Sequence, residues 1–265
     1  MEFRAVLSKM PIVEKSPVEY LLLTENDFLK LNPLIGREVA LHFLHEKYCQ
    51  SCGNKYNDLY RMGFCKNCFF TKPEAGESII RPELSRAHEG VEDRDLTFEK
   101  SYQLQPHVVY LANSGGVKVG VTRAQQKINR WVDQGAAEAV VFAETSNRYE
   151  AGLIEVAMKE HISDKTVWQR MLKGEYEAVD LLSEKERLTA MLPQDLTHFA
   201  SADSEIYKME YPVEKYPSKV KSVNLDKQEK VEAVLQGIRG QYLIFEGGLA
   251  LNIRSHSGYT ISLSF

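Results

Sequence analysis

All four cysteines of this 265-residue chain fall in one short stretch, YCQSCGNKYNDLYRMGFCKNCFF, as Cys49-x-x-Cys52 and Cys65-x-x-Cys68. Two such pairs constrain folding more than any hydrophobic pattern does, because both must meet at one point. A two-residue spacing lets each pair chelate from one tight turn, and four soft ligands complete a tetrahedral zinc sphere. Gly53, directly after the first pair, suits the positive φ of such a turn, and Gly63 suits a hairpin returning to the metal. The rival arrangements are two disulfides, which a reducing compartment disfavours, and a redox dithiol, which needs only one pair. The spacing therefore predicts a zinc ribbon whose closed sphere holds structure together and performs no hydrolysis. His42 and His45, just upstream, are then expected to be surface or packing residues.

The net charge is −4 and the pI near 6.0, so bulk electrostatics does not make this chain a polycation for nucleic acid; any such contact needs a local basic face. The stretch from Lys47 to Lys72 is one candidate, with Tyr48, Tyr56, Tyr60, Phe64, Phe69 and Phe70 interleaved among its bases. That mixture suits a single-strand or RNA surface, and it equally suits the small core of a mini-domain. No apolar run is long enough to span a bilayer, and the N-terminal residues lack the apolar core of a secretory signal, so a cytoplasmic protein without a membrane segment is expected.

The pattern along the chain predicts an α+β organisation. Residues 1–75 hold a β segment, with LIGREVALHFLH alternating as a strand, and the four-cysteine ribbon. Residues 76–105, rich in charge, Pro and Gly, are expected to be an irregular connector with about one helical turn. Residues 106–200 hold VVYLA and VKVGV around an Asn-Ser-Gly-Gly turn, a helix over AQQKINRWVDQG stopped by Gly135, a third strand over AEAVVFAET and an amphipathic helix over YEAGLIEVAMKEHI. The acidic segment after Lys165 is expected to be a solvated helical extension, with Trp131 and Trp168 as core anchors. Residues 201–265 read as a small β domain of hairpins, the clearest being IRGQYLIF and LALNIRSH around Glu246-Gly247-Gly248.

Tyr110 in VVY, the pair Val119-Gly120 in KVG, Arg130 on the next helix and Glu155 on the one after resemble the GIY-YIG nuclease domain, over roughly residues 106–165. The layout as a whole, with its ribbon, KVGVTR, RWVDQGA and the Gly-Gly hairpin, also resembles an uncharacterised bacterial domain-of-unknown-function family. The nuclease resemblance implies a three-stranded sheet flanked by helices. It implies further that Tyr110 and Arg130 act on the attacking water and scissile phosphate, and that Glu155 holds one divalent metal. Lys118 stands where the second motif has its tyrosine, and Val121 where many members carry Lys or His.

Phosphodiester hydrolysis requires a base, positive charge on the phosphorane oxygens and a stabilised leaving group. Under the resemblance, Tyr110 or Lys118 is the base, Arg130 with Arg123 grips the phosphate, and Glu155 binds Mg²⁺ or Mn²⁺. The expected activity is metal-dependent endonucleolytic cleavage of DNA or RNA. Two rivals stay open: a catalytically silent zinc-ribbon module that binds nucleic acid, and a protein-interaction scaffold using the acidic helices.

Overall fold

The computed structural model describes residues 2–24, 27–176 and 178–265. The chain folds as two compact units, one of Met1–Phe70, Leu172–Gly174 and Met209–Phe265, the other of Thr71–Met171 and Glu175–Lys208.

In the first unit, the strand Glu38–Tyr48 buries Val39, Leu41 and Phe43 on alternate positions, as a strand with one face inward must. Its two edges need partners, and both come from the far end of the chain. Lys230–Arg239 pairs on one side, Tyr259–Ser264 on the other, with Leu41 opposite both Val231 and Leu263. The residues expected as a separate C-terminal β domain thus share a sheet with the N-terminal strands. Glu2–Val6 extends that sheet beyond Tyr259–Ser264. On the other side follow Tyr242–Phe245, Leu249–Asn252 and Lys221–Val223, the last of these parallel to its neighbour. The hairpin around Glu246-Gly247-Gly248 forms as the sequence suggests. A second turn at Gly240-Gln241 divides IRGQYLIF between two strands. Ile12–Val13, Glu19–Leu23 and Phe28–Lys30 form a smaller sheet of their own.

The second unit is built on an antiparallel sheet in the order Tyr207–Lys208, Glu138–Thr145, His107–Asn113, Val117–Arg123. The last three are the strands expected from the sequence, and Tyr207–Lys208 adds a short edge. One face carries Val109, Leu111, Val119 and Val121 and is covered by Ala151, Ile154 and Met158 of the helix Arg148–Met158. Asn147 caps that helix by accepting from the Glu150 amide, a contact contributing about 1 kcal/mol. The other face carries Tyr110 and Gly120, and there the helix Lys127–Asp133 places the fully buried Trp131 edge-on to Tyr110, ring centroids 5.9 Å apart. Gly135 ends the helical segment at φ +66°, a conformation cheap only for glycine.

Two expectations for this unit are corrected. The acidic segment after Lys165 is not a solvated extension, because Leu181 and Leu188 of the helix Leu181–Thr189 lie inside the same core. Glu186 and Arg187 occupy the outer face, while Lys185 is buried and donates to the Asp203 carbonyl, so composition alone hides the apolar stripe. Residues 76–105 are a structured wrap: the helices Glu77–Ile80 and Leu96–Gln103 are joined by short 3₁₀ turns. The buried Glu99 carboxylate ties the wrap down by accepting from the amides of Asp93, Arg94 and Asp95 at 2.7–3.1 Å. Of the two tryptophans expected as anchors, Trp131 is buried and Trp168 is half-buried. Among the described residues, no helix is long and apolar enough to cross a membrane.

Candidate functional site

The four thiols converge as the spacing requires. The Sγ atoms of Cys49, Cys52, Cys65 and Cys68 lie within 4.8 Å of one another. A tetrahedral zinc site has ligand sulfurs roughly 3.8 Å apart, given Zn–S bonds of about 2.3 Å. Gly53 and Gly63 adopt φ +70° and +77°, and the Gly53 amide donates to the Cys49 carbonyl to close the first knuckle. Three backbone amides point at sulfur: Ser51 and Cys65 at Cys49, and Cys68 at Cys65. Such donors stabilise thiolates and suit a bound cation. Cys49, Cys65 and Cys68 are buried and Cys52 is exposed. The cluster can hold one metal ion. His42 and His45 are exposed and stand outside it. Of the interleaved aromatics, Phe64 is buried, while Tyr60 and Phe70 remain exposed against the edge of Phe69.

In the second unit Lys118 lies within electrostatic reach of Arg130 and Glu155, and Arg130 of Tyr110. Tyr110 and Gly120 are cross-strand partners, and the Tyr110 hydroxyl accepts from Gln134 Nε2. Beside it lies Arg130, whose Nε is buried with no hydrogen-bond partner among the described residues. The Tyr110 oxygen favours the charged guanidinium and burial opposes it, with a net upward shift of the Arg130 pKa. Lys118, 6% exposed, makes no hydrogen bond or ion pair with any described residue. Burial first, and the Arg130 charge second, push its pKa down to about 7, against the pull of Asp164 and Glu155. Glu155 is also buried; loss of water raises its pKa, and Lys159, 3.3 Å away, pulls it back. Lys159 in turn pairs with Asp164 at 3.5 Å.

Sequence reasoning missed Arg148 and Tyr102. Arg148 is 5% exposed, and its Nε and Nη2 donate to the carbonyls of Ser78 and Ile79. It sits within electrostatic reach of Glu155, Arg130 and Arg123. It stands one residue before the expected helix YEAGLIEVAMKEHI, where nothing in the local pattern marks it as buried. Tyr102 comes from the wrap, and its ring meets Arg123 at 4.7 Å and Arg148 at 5.4 Å. Nothing in the sequence linked it to the strands. Val121 packs into the apolar core and does not join the group.

Four cations, Lys118, Arg130, Arg148 and Arg123, thus feel one another in succession. None is within 4 Å of a carboxylate among the described residues; Asp133 acts on Arg130, Asp164 and Glu155 on Lys118, and Glu155 on Arg148, all from beyond ion-pair distance. Buried positive charge in excess of its counter-charge is costly unless an anion joins it. An amine that titrates near neutrality, a guanidinium with an open donor and a buried carboxylate are together equipped for proton transfer beside a bound anion.

Fold and side chains define an α+β protein with a cluster of four thiols close enough to hold a metal ion in one unit and a group of buried cations near a carboxylate in the other. Residues 36–261 match the family described as Protein of unknown function (DUF2797), and the chain belongs to that family. Comparison with curated proteins and with solved structures finds no match.

Proposed function

We propose that this protein is a GIY-YIG-like, divalent-metal-dependent nuclease acting on DNA or RNA, its four-cysteine cluster holding a structural zinc. The observation that supports the reading is that the buried Lys118 lies within electrostatic reach of both Arg130 and Glu155, with Tyr110 beside Arg130, although the four come from two strands and two helices.

The roles follow from the surroundings of each group. Lys118 is the better base, because its amine is half deprotonated near neutral pH and bonded to nothing. Tyr110 is fully buried and held by Gln134, which suits it to orient Arg130. Arg130 presents its open Nε to a phosphate oxygen. Glu155, with Asp164 near, supplies the carboxylate through which Mg²⁺ or Mn²⁺ would be held, largely by waters and substrate oxygens. Such an ion supplies charge to the phosphorane and leaving oxygens. The surrounding cations oppose a bare ion at Glu155, so its affinity depends on the phosphate arriving with it.

The test is incubation of zinc-loaded protein with labelled DNA and RNA, single and double stranded, with Mg²⁺ or Mn²⁺. Cleavage is expected, and loss of it in Glu155→Gln and Arg130→Ala with folding retained. Intact substrate under every condition sinks the reading. The burial of Tyr110 favours, as second reading, a silent module that binds nucleic acid without cutting it. That module gives metal-independent gel shifts and no product.

A further inference from the structure

At one end of the second unit's sheet, His107 and Arg123 are cross-strand partners, with Thr145 opposite His107 on the other side. Arg148 opens the helix that packs below. The Tyr102 ring contacts both guanidinium groups, with Arg123 Cζ 4.7 Å and Arg148 Cζ 5.4 Å from its centroid, and stacks on Phe98. Stacking of this kind fixes a guanidinium plane while leaving its edge for ligands.

Anions are missing from this corner. Arg148 spends its donors on two backbone carbonyls, and Arg123 bonds only the neutral Gln126 side chain. Neither forms an ion pair among the described residues. His107 donates through Nδ1 to the Gln105 carbonyl, and its buried Nε2 has no partner. Arg123 is the half-exposed member, and Arg148 lies behind it at 5% exposure. One accessible guanidinium is therefore backed by a buried positive charge that makes no ion pair and feels Glu155 only from a distance.

We infer that Arg123, braced through Tyr102 and reinforced by Arg148, forms a second phosphate subsite that holds the nucleic-acid strand away from the Lys118–Arg130–Glu155 centre. The inference rests on the nuclease reading for the kind of ligand. Lys118 and Arg123 lie five positions apart, about 17 Å at ~3.3 Å per residue, on the edge strand of the sheet, and alternation turns their side chains to opposite faces, so a strand touching both passes around that edge. A substrate long enough to reach the subsite gains affinity there, and one covering only the centre does not. Tyr102 is a positioning residue in this scheme. Its removal frees Arg123 to move without changing the charge.

The test uses the full chain in a Glu155→Gln background, so that binding is read without cleavage, and fluorescent DNA and RNA strands of two lengths, one spanning the centre alone. Affinity is followed by anisotropy across a salt series. In Arg123→Gln the long strands are expected to bind about tenfold more weakly, with the log–log salt slope reduced by about one. The short strands are expected to bind unchanged. Arg123→Lys restores the slope, since the charge is kept, and Tyr102→Leu lowers long-strand affinity at an unchanged slope. An unaltered slope in Arg123→Gln, or equal loss for short and long strands, overturns the subsite. Cleavage by the unaltered chain is measured in parallel. Cleavage with an unaltered slope leaves the nuclease reading standing and removes the subsite alone. Arg123-dependent long-strand binding without cleavage upholds the subsite and removes the nuclease reading. No binding to any strand removes both.

Discussion

Tyr110 and Gly120 face each other across two strands so closely that a β-carbon on Gly120 would lie 2.5 Å from the tyrosine hydroxyl. The absence of a side chain at residue 120 is what gives the Tyr110 ring its place beside Arg130 and Trp131. Gly120→Ala should therefore displace the ring and cost about 1–3 kcal/mol, the usual range for overpacking. Urea unfolding measures it, and paired melts with Tyr110→Phe separate the ring from its hydroxyl. A neutral Gly120→Ala would mean that the ring has room to move.

Lys118 ties stability to alkaline pH. Its folded pKa of about 7 lies below the ordinary 10.5, so between those values the unfolded chain binds more protons than the folded one. Stability from this group is expected to rise with pH from about 7 to about 10.5, and Lys118→Met to flatten that rise. His107 acts in the same sense at lower pH, because burial, helped by Arg148 and Arg123, pushes its pKa from 6.5 to about 4. Stability is expected to fall as pH drops through that window, less steeply in His107→Gln. Denaturation midpoints across the pH range check both, and curves that superpose with the parent contradict them.

Removal of the metal from the thiol cluster should loosen the first unit. The purified chain is expected to carry one zinc per molecule by elemental analysis. Cys65→Ser is expected to lose it and to melt at lower temperature, since binding energy in such sites is folding energy. A full complement of metal in that variant would place the ion elsewhere.

Gly152 sits where the helix Arg148–Met158 meets the Pro82–Leu84 turn, and a β-carbon there would come within 2.2 Å of the Glu83 amide nitrogen. Backbone cannot step aside as a flexible side chain does. Gly152→Ala is expected to cost about 3 kcal/mol, at the upper end for overpacking, and to detach the wrap that carries Tyr102. Limited proteolysis within residues 76–105 reads the detachment directly; an uncut variant argues against it.

The sequence by itself determined the convergence of the four cysteines and the sheet's three main strands. Each rests on a local rule: two-residue chelate spacing for Cys49, Cys52, Cys65 and Cys68, alternation around the Asn-Ser-Gly-Gly turn, and a helix stop at Gly135. Tyr110, Lys118, Arg130 and Glu155 are singled out only because their order along the chain resembles a known motif. Tertiary structure alone decided which strands pair. Alternation in Glu38–Tyr48 shows a buried face and leaves both edges open, and only the fold supplies Lys230–Arg239 and Tyr259–Ser264 to close them. It likewise turned the acidic helix Leu181–Thr189 inward and brought Tyr102 and Arg148 to Arg123. Charge–ring contacts between segments distant in sequence leave no periodicity to read. They arise from packing, which acts through space and not along the chain.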